Sequence, residues 1–397
     1  MSETVHVIAG LTLGTARAGI KRPDRDDLLV IEAAEGATVA AVFTRNAFCA
    51  APVQIAREHL ASQPRWLLVN AGNANAGTGE RGLADARRTC ASLAARVGAG
   101  PDAVMPFSTG VIGEYLPVDK LEAALPDALA ALAPDHWPEA ARAIMTTDTR
   151  PKLASRCIDV AGVAVHLTGI AKGAGMIHPN MATLLVFLAT DATIAAPVLQ
   201  AALTGAVEDS FNAITVDGDT STNDSCVLVA TGATGCTLSP HQPGYADFET
   251  ALHSLCQELA EAVIRDGEGA TKLIRIQVEA ALDKAEAHQV ALTIAHSPLV
   301  KTAFFASDPN WGRILAAVGR AGCHALDVSR IDIWLDDVAI VTGGERAPTY
   351  TEQAGQAVMA RSDITVRVSL GRGHARRTLL TCDFSYDYVR INAEYRT

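Results

Sequence analysis

Gly169-Ile170-Ala171-Lys172-Gly173-Ala174-Gly175-Met176-Ile177-His178-Pro179-Asn180-Met181-Ala182-Thr183-Leu184-Leu185 is a segment whose residue types could do chemistry on their own backbone. Its glycines and alanines leave the chain free to take up a strained turn. A small residue, Ala182, precedes a hydroxyl, Thr183, at the entrance to an apolar run. The Thr183 hydroxyl can attack the Ala182 carbonyl, moving the acyl chain from nitrogen to oxygen, and water then hydrolyses the ester. What remains is a threonine whose α-amine, with an unperturbed pKa of about 7.7–8.0, can take the proton of its own hydroxyl. That is the threonine/N-terminal-amine form of nucleophilic catalysis. As structure alone, the same residues are a loop feeding a core strand, with Thr183 an ordinary strand residue. The spacing leaves both readings open.

Other candidate chemistry is weaker. Gly77-Thr78-Gly79-Glu80-Arg81-Gly82 matches G-x-G-x-x-G between a strand and a helix, with Asp102 further on, as a dinucleotide site would. The first glycine should follow the strand directly, whereas Asn70 to Ala76 intervene and no series of βαβ units follows. The match reads as a glycine-rich turn before a helix. No P-loop, H-E-x-x-H or G-x-S-x-G pattern occurs. His178 reads as a loop-ordering residue, Ser108-Thr109-Gly110 by itself as a turn or helix cap, and Lys172 and Glu268 as solvated charges. The eight cysteines form no C-x-x-C pair, so zinc ribbons and disulfide scaffolds are disfavoured. Buried thiols in a reducing compartment are the expectation.

The elements that must position these residues follow from periodicity. Strands are expected at Leu28 to Ala33 and Thr38 to Phe43, joined by a turn at Glu35-Gly36, and at Trp66 to Val69. The stretch Asn70 to Gly77 reads as loop on its asparagine and glycine content. Helices are expected at Leu83 to Val97, Val118 to Leu132, Val198 to Phe211 and through Phe248, Leu252, Leu255, Leu259 and Val263. A hairpin turns at Ala161-Gly162, and strands cover Leu184 to Ala189, Cys226 to Ala230 and Ile274 to Val278. Beyond Leu282-Asp283-Lys284 the pattern mixes helices (Glu286 to Ala295, Arg313 to Gly319, Glu352 to Met359) with strands (Ile331 to Leu335, Ile364 to Leu370, Thr378 to Asp383). The class is α/β, with strands and helices intermixed in the α+β manner. The domains are expected at 1–281 and 282–397. With 397 residues and 49% hydrophobic content the chain can bury more than one core. A net charge of −11 repels phosphate backbones, which disfavours nucleic acid as a partner. No apolar run approaches the roughly 18 residues that span a bilayer. The first residues resemble no signal or transit peptide, so a cytoplasmic protein is expected.

Seven further segments accompany the central one, in order. They are Asn70 to Ala76, Ser108 to Gly113, Thr146-Thr147-Asp148-Thr149, Asp217-Gly218-Asp219-Thr220-Ser221-Thr222-Asn223-Asp224, Asp266 to Lys272, Asp308-Pro309-Asn310-Trp311-Gly312-Arg313 and the ending Ile391 to Thr397. Together with Lys172 through Leu185 they resemble the ornithine acetyltransferase (glutamate N-acetyltransferase) family, whose members cut themselves and are bifunctional in many cases. The resemblance runs from the first strands to the last residue.

The resemblance implies a cut between Ala182 and Thr183, with Thr183 as nucleophile and Thr109 and Gly110 as oxyanion hole. It places substrate contacts at Thr147 in preference to Thr146, and at Lys172, Thr183, Glu268, Asn392 and Thr397. It implies transfer of acetyl from N-acetyl-L-ornithine to L-glutamate by a ping-pong route, in arginine biosynthesis, with no metal or other cofactor. Acetyl-CoA is a further donor in bifunctional members. The implied fold is a layered sheet-and-helix sandwich with a smaller C-terminal α/β domain whose tail returns to the active site. The implied assembly is a dimer of cleaved protomers, two α and two β chains, with no nucleic acid or membrane partner. The rival is an N-terminal-nucleophile amidase or aminopeptidase, in which water takes the acyl group.

Overall fold

The computed structural model describes residues 4–21, 24–178 and 184–394. Ala182, Thr183 and Thr397 lie outside the described residues. The chain divides into two compact units, Met1–Asn212 with Asp219–Val263, and Ala213–Gly218 with Ile264–Thr397. Strands and helices are numbered along the chain.

In the first unit, short apolar runs, most of them buried on both faces, make two sheets. Strands β1 (Leu11–Ala16), β2 (Leu28–Ala33), β4 (Trp66–Asn73) and β5 (Val104–Val111) lie in the order β1-β2-β4-β5, antiparallel except for the parallel β4–β5 pair. The other sheet orders β3 (Thr38–Phe43), β10 (Ser225–Ala230), β8 (Leu185–Thr190), β7 (Val163–Lys172) and β6 (Lys152–Val160) as β3-β10-β8-β7-β6, with β8 and β10 parallel. The inner faces meet: Leu13, Ile31, Leu67, Val69 and Phe107 pack with Val39, Ile170, Phe187 and Val227 in one cluster. Phe107 and Phe187 touch edge to face, centroids 5.2 Å apart. Each such burial contributes roughly 1.5–3 kcal/mol.

Because side chains alternate along a strand, Leu28, Val30, Leu68 and Val104 point the other way. There they are covered by helices α2 (Gly79–Val97) and α3 (Val118–Ala130), through Cys90, Leu93, Leu121 and Leu125. Helix α5 (Ala196–Glu208) lies on β3 and β10. Helix α6 (Tyr245–Arg265) reaches Gly169 on β7, where an added Cβ would meet Leu259 at 3.3 Å. The result is a helix–sheet–sheet–helix layering. Helix α1 (Ala51–Leu60) packs on β5 and α2, and α4 (Trp137–Ala143) seats Trp137 in the inter-sheet core. A short parallel pair, β9 (Thr193–Ile194) and β11 (Thr237–Leu238), completes this unit's described strands.

The second unit holds a sheet of β12 (Leu273–Ala281), β13 (Asp332–Leu335), β14 (Val338–Thr342), β15 (Glu345–Arg346), β16 (Asp363–Ser369) and β17 (Ala375–Cys382), ordered β15-β14-β13-β16-β12-β17. Ile276, Val278, Ile333 and Val366 pack there with residues of α7 (Lys284–Ala295), α8 (Pro298–Phe305), α9 (Trp311–Gly319) and α10 (Glu352–Met359). Helix α11 is Tyr386–Ala393. Side chains cap these helices: Asp283, Ser297, Asn310, Thr351 and Ser385 each accept from a backbone N–H in the first turn.

Three local expectations differ from the structure. The boundary expected at 281/282 falls inside the second unit, because β12 sits between β16 and β17 and Leu282-Asp283 is the entry to α7. Asn70 to Asn73, expected as loop, continues strand β4, and Ser108 to Gly110, read alone as a turn or cap, lies in β5.

Candidate active site

The loop-like residues at the end of β4 form strand because their side chains supply hydrogen bonds that ordinary loop residues leave to water. Asn70 Nδ2 donates to Asn73 O at 2.9 Å, and Ser108 Oγ donates to Asn70 Oδ1 at 2.6 Å. Asn223 Nδ2 donates to both Ala74 O (2.6 Å) and Ser108 O (2.9 Å), tying the polar 217–224 loop to β4 and β5. Gly72 and Gly110 face each other in the parallel register. A Cβ on Gly110, whose φ is +136°, would lie 2.2 Å from the Gly72 carbonyl carbon. Only glycine allows the two strands this approach.

That packing buries Thr109, 6% exposed, next to Gly110. Its Oγ1 accepts a 3.0 Å hydrogen bond from Lys172 Nζ. Lys172 is the last residue of β7, 3% exposed, and pairs across the sheet with Leu185, at the start of β8. The surface lysine expected from sequence alone is therefore a buried one, and it touches a residue 63 positions away.

Two carboxylates that carried no assigned role complete the cluster. Asp148 Oδ1 accepts from Lys152 Nζ (2.6 Å) and from the Gly173 N–H (2.7 Å), and Oδ2 accepts from the Thr146 N–H (3.0 Å). Burial by itself would raise its carboxyl, but the Lys172 and Lys152 charges outweigh it and hold it down at about 2. Asp224 Oδ1 accepts the Leu184 N–H at 2.7 Å. Burial pushes the Asp224 carboxyl well above its ordinary value, against the opposing pull of the Leu184 N–H, the Lys172 charge and the Ser221 hydroxyl. Thr146 and Thr147 are half-buried in the bend before Asp148.

The second unit brings Glu268 and Asn392 together. Glu268 is buried, and its Oε2 accepts from Asn392 Nδ2 at 2.8 Å. Asp383 orders the same loop by accepting from the Thr271 N–H (2.8 Å), the Lys272 N–H (2.9 Å) and the Thr271 hydroxyl (2.5 Å). Ser385 Oγ donates to Gly269 O at 2.6 Å, and Gly269, at φ +68°, lies too close to the Tyr388 nitrogen for any Cβ. The sequence therefore pointed to Thr109, Gly110, Lys172, Glu268 and Asn392 but gave no role to Asp148, Lys152 or Asp224. The available signal was their position inside or beside the quoted segments. Residue type alone does not say that a charge is buried.

Residues 12–397 match the model of the ArgJ family. The arginine biosynthesis bifunctional protein ArgJ of Methylococcus capsulatus is 66% identical over 393 residues, covering 98% of this chain and 96% of that protein. The protein of the same name from Pseudomonas fluorescens is 54% identical over 396 residues, covering 99% and 98%. In the crystal structure of the arginine biosynthesis bifunctional protein ArgJ from Bacillus halodurans, one chain is 42% identical with a TM-score of 0.50. That match covers 52% of this chain and 97% of that one.

Proposed function

The chain belongs to the ArgJ family, and from that premise we propose that it moves acetyl from N-acetyl-L-ornithine to L-glutamate through an ester on Thr183, after cutting itself between Ala182 and Thr183. The observation that carries the site reading is the buried Lys172–Thr109 contact. An ammonium has donors and no acceptor, so Thr109 Oγ1 must accept from Lys172. The Thr109 hydroxyl proton is then left to donate elsewhere. With the adjacent Gly110 N–H it makes a donor pair suited to an oxyanion, and one such donor is worth about 2.7–4 kcal/mol in acyl transfer.

The steps balance. Thr183 Oγ attacks the acetyl carbonyl while the Thr183 α-amine takes the hydroxyl proton. The carbonyl electron pair moves onto the oxygen facing Thr109 and Gly110. Collapse expels the ornithine nitrogen, which receives the proton and leaves as an amine. The glutamate amine then attacks the ester, N-acetylglutamate departs, and Thr183 regains its hydroxyl. Glu268 and Asn392, with Thr147 or Thr146 and the terminal Thr397, are the substrate contacts we assign, Glu268 matching an ammonium group and Lys172 a carboxylate. We assign acetyl-CoA as the second donor, in keeping with the word bifunctional in the relatives' names, and no metal or other cofactor. The working assembly we assign is a dimer of cleaved protomers in the cytoplasm, where the unpaired cysteines suit a reducing compartment.

Two facts support the cut. Leu184, the residue after Thr183, is held by Asp224 at its N–H. The pieces 1–182 and 183–397 are each near half of the chain, and the Bacillus halodurans chain, matched almost end to end by 52% of this one, has the length of such a piece. The rival amidase reading, with water as acceptor, is disfavoured by relatives named for arginine biosynthesis. The test is N-terminal sequencing of active protein alongside a transfer assay from N-acetylornithine to glutamate. A chain beginning Thr183-Leu184-Leu185 is expected, and Thr183→Ala stays whole and inactive. Active protein without that terminus overturns the reading.

A further inference from the structure

The buried charges beside Thr109 outnumber what an oxyanion hole needs. Lys152 and Asp148 have side chains 1% and 0% exposed, and Lys172 is 3% exposed. Neither Asp148 nor Lys152 has a part in the chemistry above. Buried ions are costly unless paired, so the arrangement calls for a reason. Asp148 sits on three segments at once: the Thr146 N–H before it, Lys152 at the start of β6, and the Gly173 N–H directly after Lys172. Its charge is coupled to both Lys172 and Lys152.

We propose that Asp148 is the positioning residue for the Lys172–Thr109 pair: by gripping the Gly173 N–H and supplying a buried negative charge, it keeps Lys172 protonated and aimed at the Thr109 hydroxyl. Lys172 deprotonated would have a lone pair and could accept the Thr109 proton, taking away the donor that the oxyanion needs. A nearby carboxylate favours the charged lysine, while burial and the neighbouring Lys152 oppose it. Asp224 is also coupled to Lys172, with burial pushing its carboxyl up, whereas Asp148 is held low beside its lysines. Lys152 is in this account only a counter-ion.

The inference rests on the acetyl-transfer reading, and its test has an arm that does not. The chain has seven lysines, few enough to follow by NMR with ε-13C-lysine in the intact self-processed protein, Lys172→Arg assigning the signal. In Asp148→Asn the Lys172 titration midpoint is expected to fall by about one pH unit or more, roughly tenfold in its protonation equilibrium. The alkaline limb of kcat for acetyl transfer is expected to move down with it, while KM for N-acetylornithine changes less than kcat. Lys152→Met separates this from a structural ion pair. It leaves Asp148 wholly to Lys172, so the midpoint must not fall and transfer stays within a few-fold of the parent. An unchanged midpoint in Asp148→Asn overturns the proposal, as does a Lys152→Met loss as large as that of Asp148→Asn. Should Asp148→Asn fail to fold, a fall of the midpoint in Lys152→Met is by itself the overturning result, and its retention with activity the supporting one. A shifted midpoint in a protein that transfers no acetyl group would sink the acetyl-transfer reading and leave the Asp148–Lys172 coupling intact.

Discussion

The two units hold their candidate residues on different kinds of element. In the first, Thr109, Lys172, Asp148 and Asp224 are all buried and meet one another or the backbone at 2.6–3.0 Å from strand ends and the loops tied to them. In the second, Glu268 lies on a loop and Asn392 on the exposed side of the short helix α11. Strands packed on both faces open only with much of the core, whereas loops and terminal helices fray at low cost. The difference suits the assigned roles. Stabilising a developing charge needs fixed donors, while admitting and releasing an amino acid needs contacts that can form and break.

Thr109→Ala is the sharpest way to break that contrast. It removes the hydroxyl, and with it one hydrogen-bond partner of the Lys172 ammonium, and kcat is expected to fall about 10²–10³-fold with little change in KM. Steady-state kinetics with N-acetylornithine decides: a raised KM with kcat intact would make Thr109 a ground-state contact. Glu268→Gln comes next. The amide oxygen can still accept from Asn392, but the charge is gone, so KM for the amino-acid substrate is expected to rise about tenfold while kcat stays within a few-fold. A loss confined to kcat would place Glu268 with the first unit's machinery.

The smallest expected effects lie in stability against pH, where the two buried carboxylates have opposite signs. Asp148 is depressed to about 2, so its contribution is present above the unfolded value of about 3.9 and lost as pH falls through 2. The melting temperature of Asp148→Asn should therefore lie below the parent at neutral pH, with the gap closing between about pH 4 and 2. Asp224 is raised, so the folded state loses stability as pH climbs from about 3.9 towards its folded value. Asp224→Asn, which keeps an acceptor for the Leu184 N–H, should gain on the parent over that climb by a few degrees, at roughly 2–4 °C per kcal/mol. Melting curves of both variants from about pH 2 to 8 test the pair, and two gaps of the same sign would refute the assignment of charges.

Much of the fold was legible where one period dominates. The alternation in Ile274, Ile276 and Val278 marks β12, and the spacing of Phe248, Leu252, Leu255, Leu259 and Val263 marks α6. Asn70 to Asn73 misled because their composition is that of a loop. Ser108 bonds to Asn70 from 38 residues away and Asn223 to Ala74, the residue after Asn73, and those bonds, not local propensity, keep the chain extended. β2 and β3 form where expected, and only the tertiary structure assigns them to different sheets.

By itself the sequence determined the order and content of the segments that carry the family resemblance, among them Thr109-Gly110, Lys172 between small residues and Glu268 in a glycine-rich loop. Residue type and immediate neighbours alone read Thr109 as a turn or cap and Lys172 and Glu268 as solvated charges. Only the tertiary structure decided that Lys172 is buried against Thr109, that Asp148 serves two lysines, and that Asp224 is biased toward its neutral form. The reason is physical: the energy of a charge depends on the dielectric and the partners around it, and those are supplied by strands and loops far apart along the chain.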